Sequence, residues 1–152
     1  MMSSESGSPE RAYQKYAWLI PFILAVLLSL GMAFMLVWGT DPGVFESDTG
    51  VAWSEFSSAY PTVATYLILD ERLLAAGLLG FGAYTAVVTY LKYRKGERWA
   101  WYTLWFFPGM LALLAALFYL HDQGGTGTWY VGLATIAVLG MLLPVRKFFR
   151  KQ

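Results

Sequence analysis

An apolar run without a single charged residue, 73–91, lies between the acidic–acidic–basic triplet Asp70, Glu71 and Arg72 and a basic segment that begins at Lys92. At 1.5 Å per residue, an α-helix over this run is about 28 Å long, which matches the roughly 30 Å hydrocarbon core of a bilayer. Charged side chains are costly inside that core. The sequence therefore predicts a membrane-crossing helix whose two water-facing ends are marked by charge.

The composition of the whole chain favours the same class. Of its 152 residues, 57% are hydrophobic and 14% are charged, against roughly 45–50% and 25% in soluble domains. The chain has no cysteine, which excludes thiol redox chemistry, disulfides and thiolate metal ligation. Its net charge of +1 gives no overall field that would attract nucleic acid, so no nucleic-acid partner is expected.

Three further apolar runs are long enough to cross a bilayer. The predicted helices cover residues 17–38, 62–92, 99–120 and 129–145. We expect a kink at Pro108 in the third helix, because proline removes a backbone hydrogen bond. Rows of small residues allow close approach of another helix. Such rows are Ala25, Ser29 and Ala33 in the first helix, and Gly132 and Gly140 with Ile136 in the fourth.

The charges divide between the two sides that four crossings create. The N-terminal segment, the 92–98 loop and the C-terminal segment carry ten of the 11 Lys and Arg residues, whereas the other loops and the triplet carry seven of the 10 acidic residues. By the positive-inside rule, both termini are predicted to be cytoplasmic. Short connections favour an up-down-up-down four-helix bundle. The predicted protein is thus all-α, integral to the cell (inner) membrane and multi-pass.

This topology predicts three regions along the chain. Residues 1–15 are polar and are predicted to form a disordered cytoplasmic tail, because they offer too little apolar surface to order themselves. Residues 16–146 hold the four-helix transmembrane domain, and residues 147–152 form a basic cytoplasmic tail.

Two loops on the acidic side have distinct patterns. Trp53, Phe56 and Tyr60 recur at the helical spacing i, i+3, i+7, which predicts a short amphipathic helix in the outer interface. Residues 124–127, Gly-Gly-Thr-Gly, resemble a phosphate-binding loop but lack its lysine. We therefore interpret them as a flexible outer loop.

Glu71 and Arg72 are candidate binding residues. On a helical wheel, Arg72 shares a face with Ala76, Leu79, Ala83 and Ala86, and Glu71 shares one with Ala75, Gly82, Thr85 and Thr89. Faces of small residues pack against neighbouring helices, so both side chains are predicted to look into the mouth of the bundle, while Asp70 looks toward headgroups. Two interpretations stay open: a polar site at the outer mouth, or charges that merely end the apolar segment.

His121 is the only histidine of the chain, and Asp122 follows it at the predicted end of the third helix. Such a pair can shuttle protons or bind a metal, and either residue is a candidate partner for Glu71 or Arg72 from the other outer loop. The alternative is a solvated loop histidine. Because one histidine and no cysteine make a poor ligand set, no metal and no cofactor are expected, and a bis-histidine haem is excluded.

The stretch between Pro61 and Pro108 carries a resemblance to known proteins. Its Arg72-Leu-Leu-Ala-Ala-Gly segment and its Tyr93-Arg-Lys-Gly-Glu-Arg-Trp-Ala-Trp-Tyr-Thr-Leu-Trp segment resemble small prokaryotic four-helix membrane proteins of the DoxX-like kind. The resemblance implies the four-span fold. It implies no activity and no catalytic residue.

Two functions remain open for such a chain. The first is a non-enzymatic structural or accessory subunit, which would pack its small-residue faces against a membrane-protein partner or a second copy within the lipid bilayer. The second is a small-molecule or lipid-binding protein, or an enzyme. It would use the four candidate residues at the outer mouth, which are Glu71, Arg72, His121 and Asp122.

Overall fold

The computed structural model describes residues 15–39, 42–121 and 124–149, except for the side chain of residue 147. These residues form helices joined by short turns, with no strand among them. The helices are α1 (Leu19–Trp38), α2 (Pro42–Thr49), α3 (Trp53–Ala59), α4 (Pro61–Leu91), α5 (Arg98–Leu104), α6 (Phe106–Leu120), α7 (Gly124–Leu142) and α8 (Val145–Phe149). A 3₁₀ turn at Tyr93–Lys95 joins α4 to α5.

Four segments are long and apolar enough to cross a bilayer. They are Leu19–Trp38, Pro61–Lys95, Arg98–Leu120 and Gly124–Leu142. This confirms the prediction of an all-α chain with four helical segments long and apolar enough to span a membrane. The predicted tails lie largely outside the described residues, which begin at residue 15 and end at residue 149.

The fourth span begins five residues earlier than predicted, at Gly124, so the prediction of a flexible loop over 124–127 is wrong. Tertiary packing explains the difference. Thr128 Oγ1 donates to Gly124 O at 2.8 Å and lies 2.8 Å from Tyr119 Oη. A Cβ atom at Gly127 would stand 3.0 Å from the Tyr119 ring. These contacts stabilise a glycine-rich helical turn whose intrinsic propensity is poor. The span ends at Leu142, two residues before Pro144.

The third predicted helix is divided at Trp105, between α5 and α6. Pro108 has no N–H to donate to the carbonyl of Leu104, four residues before it. At Trp105 the backbone bond reaches back three residues instead of four, from Trp105 N to Tyr102 O at 3.3 Å. The regular spacing of four residues resumes with the bond from Gly109 N to Trp105 O at 3.2 Å. The discontinuity expected from Pro108 thus lies one turn before the proline.

The chain separates into two packing units, which are described individually. The first comprises residues 1–24 and 85–152. In its described part, the buried core consists of Val88, Tyr93, Ala100, Leu104, Met141 and Phe148, with Trp18, Trp101 and Trp105 packed against it. In this unit α6 also packs along α7.

The second packing unit comprises residues 25–84. Here α1 and α4 approach closely at Gly82, where a Cβ atom would stand 2.5 Å from Ser29 Oγ and 3.0 Å from Ala25 O. Ala25 and Ser29, two of the small residues predicted to allow close helix packing, therefore lie at such a contact.

Candidate binding cleft

A cleft of about 490 Å³ lies in the second packing unit, between the end of α1, α2, α3 and the middle of α4. Gly39 shapes its first wall. With φ of 75°, it takes the left-handed conformation that ends a helix, and its N–H bonds Met35 O at 2.8 Å. Pro42 then opens α2 at the first helical position, where its missing N–H costs nothing.

Aromatic rings fix α2 against α3 beside the cleft. The Phe45 and Trp53 rings meet edge to face with centroids 4.9 Å apart, and Phe56 lies 5.1 Å from Phe45. Such pairs are worth about 0.5–1.5 kcal/mol each beyond the area they bury. The short helix predicted from Trp53, Phe56 and Tyr60 is present as α3, with Tyr60 as its C-cap. Its position in a membrane interface stays a prediction.

Three charged side chains line this cleft: Asp48 from α2, and Glu71 and Arg72 from α4. Leu67 and Ile68 lie one turn before Glu71 and Arg72 and complete the apolar part of the wall. Asp48 also accepts a long hydrogen bond from Ser47 Oγ at 3.4 Å. Among the described lining residues, two carboxylates and one guanidinium leave a net negative charge, which favours a cationic or zwitterionic ligand.

The neighbouring residue Asp70 is exposed and does not line the cleft. Glu71 is half-buried, and the face it was predicted to share is buried at Ala75, Gly82, Thr85 and Thr89. The packed face predicted for Arg72 is wrong in part, since Ala76 and Ala83 are exposed and only Ala86 is buried. The described neighbours of α4 bury only one face of the helix. Small side chains occur on more than one face, so their presence alone does not predict which face is buried.

His121 belongs to the first packing unit, where it is the C-cap of α6. Its backbone N–H donates to Phe118 O at 3.3 Å, and its side chain is exposed. Asp122 lies outside the described residues. The structure therefore brings Glu71 and Arg72 into one cleft, while a joint site with His121 and Asp122 stays a prediction. Within the described residues, no group of three His, Asp or Glu side chains is placed to hold a metal ion.

A larger groove of about 660 Å³ runs along α6 and α7 in the first packing unit. Its lining is almost wholly apolar. Gly109, Ala112 and Ala116 line it from α6, and Val131 and Ala134 line it from α7. No charged side chain is among its described lining residues. It is less suited to a polar ligand than the smaller cleft, because pocket specificity depends on a few well-placed polar groups.

Sequence reasoning missed Trp38, Phe45, Asp48 and Trp53 as lining residues of the cleft. A signal for α2 existed, since proline is favoured at the first position of a helix and Pro42 occupies that position. The Asp-Pro-Gly sequence at 41–43 is equally typical of a turn, which obscures that signal. No family model, curated protein or solved structure matched the chain in comparisons with known proteins. The DoxX-like resemblance thus stays a prediction, and the proposed function depends on the residues themselves.

Proposed function

We propose that this protein is an up-down-up-down four-span protein of the cell inner membrane, with both termini in the cytoplasm and a DoxX-like architecture. The four apolar segments support the membrane class, and the segregation of Lys and Arg supports the orientation. In this orientation, the cleft with Glu71 and Arg72 opens at the extracytoplasmic surface.

The proposed activity is non-covalent binding of an amphiphile that carries an ammonium group. One observation carries it: acidic side chains, a guanidinium and several aromatic rings line a single cleft of about 490 Å³. This volume lies within the roughly 300–1,000 Å³ of small-molecule sites. Aromatic rings attract ammonium groups through their negative faces, and Trp38, Phe45 and Trp53 provide such rings.

Each chemical group of the amphiphile has lining residues of the cleft that suit it. The carboxylates of Asp48 and Glu71 favour the ammonium group, and the planar fork of Arg72 suits a phosphate oxygen pair. Leu67 and Ile68 offer apolar contact to the first carbons of an acyl chain. A zwitterionic phosphocholine or phosphoethanolamine group meets all three requirements.

Calorimetric titration of the full chain in a maltoside detergent tests this proposal. The probe is dihexanoylphosphatidylcholine below its micelle concentration. Arg72→Gln is expected to weaken binding about tenfold, because it removes a charge-assisted hydrogen bond, and Glu71→Gln is expected to weaken it as well. Asp70→Asn is the matched control, since Asp70 is adjacent and outside the cleft. Equal binding by all three variants contradicts the proposal.

A second candidate, the accessory subunit, is favoured by the exposure of α1. Only 11% of an 18-residue apolar stretch of this span is buried within the chain, against 28–33% for the other three candidate spans. A partner helix would cover part of that surface. Crosslinking in native membranes followed by mass spectrometry tests it: one stoichiometric protein partner or a second copy supports the accessory role, and crosslinks to neither contradict it.

A further inference from the structure

The basic segments of the first packing unit are tied together by side-chain hydrogen bonds to backbone carbonyls. These bonds run from Tyr93 Oη to Gly140 O at 3.0 Å, from Trp101 Nε1 to Met141 O at 3.0 Å, and from Arg98 Nε to Phe148 O at 2.9 Å. They join residues 40 to 50 positions apart in the sequence. The segment 93–101 is therefore fixed against the end of α7 and against α8.

This connection rests on a buried core. Tyr93 and Phe148 are almost fully buried, and their ring centroids are 4.8 Å apart. The carbonyl of Phe148 belongs to the last turn of α8, where it lacks a partner within the helix. Arg98 supplies that partner, as basic side chains often do at helix C-termini. The position of Arg98 relative to α8 is thus set by packing and by a cap.

Four cations of these basic segments are exposed. We call them the basic patch: Arg94, Lys95, Arg98 and Arg146. The one acidic residue of the 92–98 segment, Glu97, accepts hydrogen bonds from Lys92 Nζ at 3.1 Å and Trp99 Nε1 at 2.7 Å. The hydrogen bonds described for Glu97 therefore come from Lys92 and Trp99 and not from the basic patch, although the Glu97 charge also acts on Lys95.

Exposed aromatic residues occur in the same segments as the basic patch. Trp99 and Tyr102 are 47% and 60% exposed, and Phe149 is also exposed. The Arg94 guanidinium lies 5.1 Å from the Trp18 ring and 5.5 Å from the Tyr90 ring. Trp and Tyr concentrate at the headgroup level of bilayers, so these neighbours are typical of cations at headgroup depth.

We propose that the basic patch is a binding site for an anionic phospholipid of the membrane that holds the protein. Basic residues that only set membrane orientation need to be numerous on one side and need no fixed arrangement. Here, in contrast, a hydrogen bond joins the 93–101 segment to α8. Arg98 uses Nε for the cap, and among the described residues no hydrogen bond is made by its two terminal nitrogens. A guanidinium can bind a phosphate through such nitrogens with two parallel bonds. The site is independent of the cleft that contains Glu71.

Native mass spectrometry of the full chain in maltoside micelles tests this site. The probes are phosphatidylglycerol and phosphatidylcholine with the same acyl chains, added in equal amounts. The wild type is expected to retain phosphatidylglycerol preferentially. Arg146→Gln is expected to lower that retention about fivefold, the effect of one basic residue near an anionic headgroup. Lys15→Gln removes a cation that is not part of the basic patch and is the matched control, with less than about a twofold change expected.

Lys95→Gln provides a second variant, because the Lys95 side chain takes part in none of the hydrogen bonds described for this frame. It is expected to follow Arg146→Gln, with an unchanged melting temperature. Equal retention of the two lipids by the wild type overturns the proposal. So does an equal loss in Arg146→Gln, Lys95→Gln and Lys15→Gln, which would indicate attraction by total charge alone.

Discussion

Gly140 of α7 lies directly against Ile20 of α1 in the first packing unit. A Cβ atom at position 140 would stand 2.8 Å from Ile20 Cγ2, 2.9 Å from Ile20 Cβ and 3.0 Å from Pro21 Cδ. Two of these atoms belong to a β-branched side chain and one to a proline ring, and neither side chain moves aside easily. The two helices are therefore as close as a residue without a side chain allows.

Gly140→Ala is expected to destabilise the protein by about 1–3 kcal/mol, because the added methyl group overpacks this contact. The measurement is the free energy of unfolding from a denaturing-detergent titration. Gly132→Ala on the same helix is the control, since nothing lies within 4 Å of its added Cβ. It is expected to leave stability unchanged or to raise it slightly. An equal change in the free energy of unfolding for both substitutions would show that helix propensity, and not the contact with Ile20, determines the effect.

Gly82→Ala is expected to destabilise the second packing unit for a related reason, with one difference that can be measured. The atom nearest to the added Cβ is Ser29 Oγ, a side-chain atom, at 2.5 Å. Ser29→Ala removes that oxygen, so the double variant is expected to recover part of the lost stability. Recovery is incomplete because Ala25 O stays 3.0 Å away. A double-mutant cycle with no coupling energy would contradict this contact, and Gly80→Ala, with open space around it, is the control.

Tyr93→Phe is expected to destabilise the first packing unit by about 1–3 kcal/mol. It removes the hydroxyl that bonds Gly140 O at 3.0 Å in a buried site and leaves that carbonyl without this donor. Tyr102→Phe removes an exposed hydroxyl and is expected to change the melting temperature little. Thermal unfolding in maltoside compares the two variants. Equal melting temperatures for Tyr93→Phe and the wild type would show that the bond contributes nothing net.

Glu97 predicts a pH dependence of stability. The Trp99 indole N–H, followed by Lys92, lowers the pKa of this carboxyl below its ordinary value of 4.5. A carboxyl whose pKa is lower in the folded state stabilises the protein above its unfolded pKa, and this stabilisation is lost as pH falls through the folded value. Trp99→Phe removes the main donor, so stability is expected to fall less steeply than in the wild type as pH drops below about 4.5.

Melting temperatures between pH 7 and pH 3 provide the measurement for Glu97. Glu97→Gln is expected to flatten the same acidic part of the profile. Trp129→Phe is the control for loss of an indole, because the Trp129 side chain is 76% exposed and far along the sequence from Glu97. Identical acidic profiles for the wild type, Trp99→Phe and Glu97→Gln would contradict the lowered pKa.

The four spans could be predicted because the length of a charge-free run is a local property that bilayer thickness sets directly. The start of α7 at Gly124 could not, because contacts with Tyr119 stabilise that glycine-rich turn from outside it. Glu71 and Arg72 were found by their unusual position beside an apolar run. Phe45 and Asp48 join them in the cleft through ring contacts between α2 and α3, which no local pattern encodes.

The place of Phe148 in the core around Tyr93 makes the last helix that the structure describes part of the interior of the first packing unit. The Phe148 ring packs 4.8 Å from the Tyr93 ring, and the Phe148 carbonyl accepts a hydrogen bond from Arg98. A truncation before Phe148 would therefore remove a core side chain and a hydrogen-bond acceptor, and not merely a charged surface segment.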